Sequence, residues 1–142
     1  MHADGQRRRI LVVDDDPAIL ELIALRLDLA GYDTRLARDG ADALRAISAS
    51  KPAAMILDIN MPYMDGFEVL ERLRASGALA RLPTMVLTAR NNADDVRRAI
   101  SMGARDYMSK PFDDRMLLAR VARLLRPPRP VAPEGGEQSV WI

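Results

Sequence analysis

The chain alternates five times between short runs of branched apolar residues and longer segments whose apolar residues recur three and four apart. Few folds accept that pattern. The short runs RILVV (9–13), DTRLA (33–37), AAMIL (53–57), TMVLT (84–88) and RDYMS (105–109) read as strands. The first, third and fourth are almost continuously apolar, as expected of central parallel strands covered on both faces. Of the helical segments between and after them, the first takes Asp16 as its N-cap and Pro17 as its first residue, buries Leu20, Ile23, Ala24 and Leu27, and stops at Gly31. The others are expected near 41–49, 66–75, 93–102 (stopped by Gly103) and 113–125. Right-handed crossovers between such units give a doubly wound five-stranded parallel sheet with five helices on its two faces. Ligands then belong at the carboxyl ends of the strands.

A length of 142 residues supports one domain with a full core, plus tails. The first eight residues read as a lead-in, 9–126 as the folded domain and 127–142 as a linker, PPRPVAPEGGEQSVWI. Its apolar ending, Val140, Trp141 and Ile142, suits the start of a further effector domain. The formal net charge of +1 supplies no overall attraction to nucleic acid or membrane, and Arg7, Arg8 and Arg9 read as a solvated lead-in to the first strand. There is no cysteine, hence no disulfide framework and no thiolate zinc site. No segment is apolar enough to span a bilayer or act as a secretory leader, so a cytoplasmic location and no membrane partner are expected.

The chemistry gathers at the predicted strand ends. The first strand delivers Asp14 and Asp15, the third Asp58, the fourth Thr88 and the fifth Lys110, whereas the second offers only Arg38 and Asp39. Two carboxylates about 4 Å apart repel by roughly 4 kcal/mol at an effective dielectric near 20. Three in one crevice must therefore take up protons or hold a cation, and a hard divalent ion such as Mg²⁺ suits oxygen donors of this kind. Asp16 is better spent as a helix cap. Lys110 is notable in a chain with 19 arginines and only two lysines. A compact ammonium on a flexible stem suits one oxygen of a phosphoryl group, where the guanidinium fork prefers bidentate pairs.

LVVDDD, ILDINMPYMDGFE, VLTA and GARDYMSKPF stand in an order that resembles the receiver domains of two-component response regulators, a flavodoxin-like fold. The resemblance covers 9–126 and is greatest to regulators that carry a winged-helix DNA-binding domain. It implies that Asp58 accepts a phosphoryl group from a phosphohistidine on a sensor histidine kinase or phosphorelay protein. It implies Mg²⁺ held by Asp14, Asp15, Asp58 and the main-chain carbonyl of Asn60, with Thr88 and Lys110 binding phosphoryl oxygens. Thr88 and Tyr107 correspond to the switch pair, and Asn60 and Arg90 to positions that tune dephosphorylation. His2, the one histidine, lies in the lead-in and is no candidate donor. The implied output is a homodimer formed on phosphorylation through helix four, strand five and helix five, and DNA binding only through an effector domain outside this chain.

Two other readings stay open at this point. Asp14-x-Asp16 after an apolar strand resembles the nucleophile motif of haloacid-dehalogenase phosphatases, with Asp14 as nucleophile and no task for Asp58. A receiver-fold interaction module that works without phosphate is the other.

Overall fold

The computed structural model describes residues 7–89 and 92–127. His2, Arg90 and the expected linker from 128 onward, including Trp141, lie outside the described residues. In chain order the elements are β1 (Arg9–Val13), α1 (Pro17–Leu29), β2 (Asp33–Ala37), α2 (Gly40–Ser50), β3 (Ala54–Asp58), α3 (Gly66–Ser76), a 3₁₀ turn (Ala78–Arg81), β4 (Thr84–Thr88), α4 (Ala93–Ser101), β5 (Asp106–Ser109) and α5 (Asp114–Leu125). The sheet is parallel throughout, in the order β2-β1-β3-β4-β5. The doubly wound five-stranded architecture expected from the sequence is the one observed.

Alternation along the central strands divides the core into two layers. Ile10, Val12, Ile56, Met85 and Leu87 join Leu20, Ile23, Leu27, Leu117 and Val121 under α1 and α5. Leu11, Val13, Met55, Leu57 and Val86 join Phe67, Leu70, Leu73 and Ala99 on the face of α2, α3 and α4. Both faces being covered, every residue of β3 and β4 is buried. β2 lies at the edge and buries only Ala37.

Each helix opens on an Asp or Asn whose side chain accepts a backbone N–H of the first turn: Asp16, Asp39, Asp65, Asn92 and Asp113. These caps satisfy donors that a helix leaves unpaired at its start. Several acids of the chain are thus structural, and they sort cleanly from those of the site.

Five local expectations need correction. β3 covers 54–58, one residue later than read, because Asp58 pairs with Leu87 as the last rung of the ladder. β5 begins at Asp106 and α5 at Asp114, since Asp113 is spent on the cap. Ala24 is only half-buried, on the flank of the α1 stripe. The basic lead-in is not merely solvated: Arg7 donates to the carbonyls of Gly31 and Tyr32, Arg8 to that of Leu125, and Arg9 to Asp33 and the carbonyl of Ser50. The three side chains tie the amino end of the sheet together.

The loop from β3 to α3 returns sharply onto its origin. The Gly66 N–H donates to the Ile59 carbonyl at 2.9 Å, and a Cβ on Gly66 would stand 2.5 Å from the Asp58 carbonyl oxygen. Only glycine allows α3 to start there. Gly66→Ala is expected to destabilise the fold by about 1–3 kcal/mol, the usual range for overpacking a tight contact, measured as a lowered urea midpoint at unchanged slope.

Candidate functional site

Val13 and Leu57 are partners across β1 and β3, so the next residue of each strand, Asp14 and Asp58, reaches the carboxyl edge at one level. This is also where the strand order reverses, with β2 on one side of β1 and β3 on the other. Asp14 is 1% exposed and Asp58 3%. Asp15 is exposed at the rim. One carboxylate oxygen from each of the three lies within 4.8 Å of the other two.

The neighbouring strands add the remaining groups. Lys110 follows β5 and donates its Nζ to Asp14 Oδ2 at 2.8 Å, with Asp58 Oδ2 at 3.7 Å. Its backbone N–H donates to the Thr88 carbonyl at 2.8 Å, which holds the end of β5 level with the end of β4. The Lys110–Pro111 peptide is cis. Thr88 closes β4 and is 1% exposed. The Asn60 N–H donates to Asp58 Oδ1 at 3.3 Å, and the Asp16 N–H to Asp14 Oδ1 at 2.9 Å.

The electrostatics follow from burial and crowding. Burial, reinforced by the negative charge of Asp14, pushes the Asp58 carboxyl up to about 6 despite the opposing pull of Lys110 and the Asn60 N–H. Burial works against the ammonium of Lys110. The hydrogen bond to Asp14 and the charges of Asp58, Asp14 and Asp15 outweigh it and hold Lys110 above the usual lysine range. One ammonium against three carboxylates leaves the crevice two charges short of neutrality, which matches the charge of one divalent cation. Ligand oxygens at 2.0–2.1 Å from Mg²⁺ span about 4.2 Å at most. The acidic cluster is close to that span, and an exposed Asp15 leaves room for water in the shell. The donor set fits a hard divalent ion.

Tyr107, also singled out from sequence, lies on the strand that precedes Lys110. Tyr107 on β5 is half-buried against the layer beneath α2, α3 and α4. Several charges on the elements implied for pairing of copies are spent within the chain. Arg120 and Arg123 both bond to Asp106 at 2.8 Å, and Arg97 pairs with Asp94. Features that went unread in the sequence include the seating of Gly66 on Asp58, the double pairing of Asp106, and Tyr63. Tyr63 is fully exposed at 103% with φ +70°, a left-handed backbone that a bulky side chain rarely adopts. The DG step after Tyr63 and Met64 marks a turn, but the sequence carries no signal of which residue takes the positive φ.

Comparison with known proteins places this geometry. The family described as response regulator receiver domain matches residues 10–122. Response regulator MprA of Mycobacterium tuberculosis is 45% identical over 122 residues, which cover 86% of this chain and 52% of MprA. The DNA-binding dual master transcriptional regulator RpaA of Synechocystis is 42% identical over 118 residues, 83% of this chain and 49% of RpaA. The chain therefore spans about half the length of these curated relatives. Among solved structures, the chemotaxis protein CheY4 of Vibrio cholerae superposes with a TM-score of 0.79 at 30% identity, over 84% of this chain and 99% of CheY4.

The raised Asp58 has a stability consequence whose sign can be worked out. Its carboxyl titrates near 6 in the folded chain against 3.8 when unstructured, so the folded state binds the proton more tightly. The stability contributed by the neutral acid is complete below about pH 4 and is lost as pH rises through about 6. Asp58→Asn removes that loss. In metal-free buffer at pH 8 the variant is expected to be more stable than the parent by about 1–3 kcal/mol. The difference should vanish near pH 3.5, as read from urea denaturation at the two pH values.

Proposed function

The chain belongs to the response regulator receiver domains, and on that premise we propose that it is a phosphorylation-dependent signalling switch whose phosphoacceptor is Asp58. The observation that carries this assignment is the level placement of Asp14 and Asp58 on adjacent strand ends, with Lys110 Nζ at 2.8 and 3.7 Å from their carboxylates. It is a signalling domain, with the chemistry of a phosphoacceptor.

Asp58 Oδ attacks phosphorus in line, forming an O–P bond as the P–N bond of a donor phosphohistidine breaks. The product is an aspartyl phosphate, and the imidazole leaves with the bonding pair. A Mg²⁺ ion held by Asp14, Asp15, Asp58 and the Asn60 main-chain carbonyl would offset the repulsion between the carboxylate and the phosphoryl oxygens. Lys110, bonded to Asp14 and 3.7 Å from the reacting carboxylate, pairs with one phosphoryl oxygen. The Thr88 hydroxyl, at the end of the next strand, donates to another. Water attacking the acyl phosphate later restores the carboxylate.

Engagement of Thr88 draws the end of β4 toward the phosphoryl group and lets Tyr107 turn inward, which remodels the face of α4, β5 and α5. Through that face two copies pair, and an effector domain following the linker at 127–142 gives the output in transcription. The donor is a sensor histidine kinase or phosphorelay protein, and the location is cytoplasmic. Among the described residues no helix is long and apolar enough to cross a membrane. The resemblance to regulators with a DNA-binding half supports the transcriptional output and the pairing of copies.

The phosphatase reading, with Asp14 as nucleophile, has little support. Asp16, which would be its second acid, accepts the Ala18 N–H as the cap of α1. Asp14 is held by Lys110 and the Asp16 N–H, and Asp58 would have no task. A phosphate-independent module would have no need of the complete set of three acids, Thr88 and Lys110.

Incubation with acetyl phosphate and Mg²⁺, followed by intact mass, is expected to show one added phosphoryl group on the parent chain. Asp58→Asn and chelation of Mg²⁺ should each abolish it, and Lys110→Ala should slow it by about tenfold or more, as for loss of a transition-state charge contact. Labelling that survives Asp58→Asn and is lost in Asp14→Asn would reverse the assignment of nucleophile.

A further inference from the structure

Arg98 on α4 has Asp94 and Asp95 one turn before it, the spacing at which an arginine ordinarily pairs with a carboxylate. Arg97 takes Asp94. The Arg98 guanidinium instead stands over the Phe67 ring, its central carbon 4.0 Å from the ring centre. Phe67 is the second residue of α3 and is 3% exposed. It adjoins Gly66, whose N–H is bonded to the Ile59 carbonyl and on which a Cβ would stand 2.5 Å from the Asp58 carbonyl oxygen. The backbone of the phosphoacceptor, the first turn of α3 and the outer surface of α4 are therefore in contact in series.

The stack matters because α4 buries few apolar side chains of its own. Of its apolar side chains only Ala99 is fully buried, while Val96 is half-buried and Ile100 is 46% exposed. A helix that buries so little apolar surface of its own shifts easily. An exposed guanidinium on an aromatic face can follow such a shift without leaving a cavity, since its outer side stays hydrated. Resting on the phosphoacceptor reading of Asp58, we infer that the Arg98–Phe67 stack is a second link from Asp58 to α4, separate from Thr88 and Tyr107. Arg98 is a positioning residue in it: a displacement of the Asp58 and Ile59 backbone moves Gly66 and Phe67, and α4 moves with the ring.

Hydrogen exchange by mass spectrometry, on the full chain with and without beryllofluoride and Mg²⁺, tests the link. In the parent chain exchange should change in both 66–76 and 93–101. Arg98→Ala should keep the change in 66–76 and shrink that in 93–101 by about threefold, the weight of an exposed cation–π contact. Arg98→Lys, which keeps the cation, should restore most of it, and Phe67→Leu, which keeps the cation and removes the ring, should not. Arg97→Ala, which cuts a neighbouring ion pair on the same helix, should behave as the parent. A full α4 response in Arg98→Ala, or an equal loss in Arg97→Ala, would overturn the link and leave the phosphoacceptor reading intact. No response to beryllofluoride anywhere in the parent chain would overturn both.

Discussion

The structure depends on a repulsion that its core is strong enough to hold. Two carboxylates, Asp14 and Asp58, are nearly out of water on adjacent strand ends, with a third at the rim and one ammonium between the two. Left alone such a group drives its members apart or takes up protons. It persists because β1 and β3 are paired through buried residues and covered on both faces, so neither strand end can retreat. The crevice is consequently a place where charge neutralisation releases free energy, and its oxygen donors suit a hard divalent cation.

The parts around that crevice differ in rigidity, and the difference has a functional use. Asp14 and Asp58 stand at the ends of two central strands, β1 and β3, whose residues are all buried apart from Arg9. Lys110 is fixed by its backbone bond to the Thr88 carbonyl. Opposite this firm floor, α4 has one fully buried apolar side chain, and its stack on Phe67 leaves the guanidinium in water. Binding energy gained at a rigid floor is expressed as movement in the part most loosely held. Elements of low local stability close to a site of high charge density are what a switch requires.

Much of this was legible in the chain. Parallel strands end on one edge, so the residues following each apolar run could be assembled into a site before any coordinates: Asp14, Asp15, Asp58, Thr88 and Lys110 stand where that rule puts them. Asp16 and Pro17 were equally readable as a helix start, because cap chemistry is local. Strand ends were less so. Asp58 belongs to β3, yet a charged residue at the end of an apolar run reads as the first of a loop. Ala24 lies on the flank of its helix, where period alone does not separate half-buried from buried. The contacts that were not legible at all join distant segments: Gly66 on the Asp58 carbonyl, Arg98 over Phe67, and Asp106 between two arginines of α5. Each depends on how close two elements come, which no local pattern records. Arg98 is instructive, since its local neighbours argue for an ion pair with an acid one turn back, and tertiary packing chose a ring on another helix.

In the proposed switch the nucleophile is Asp58, with Asp14 a charge partner beside it. Borohydride reduces an acyl phosphate to the alcohol, turning the phosphorylated aspartate into homoserine at its own position. Peptide sequencing by mass spectrometry, after treatment with acetyl phosphate, Mg²⁺ and then borohydride, reads that position directly. Homoserine at 58 and nowhere else is the predicted result. Homoserine at 14 with aspartate intact at 58 would contradict the account.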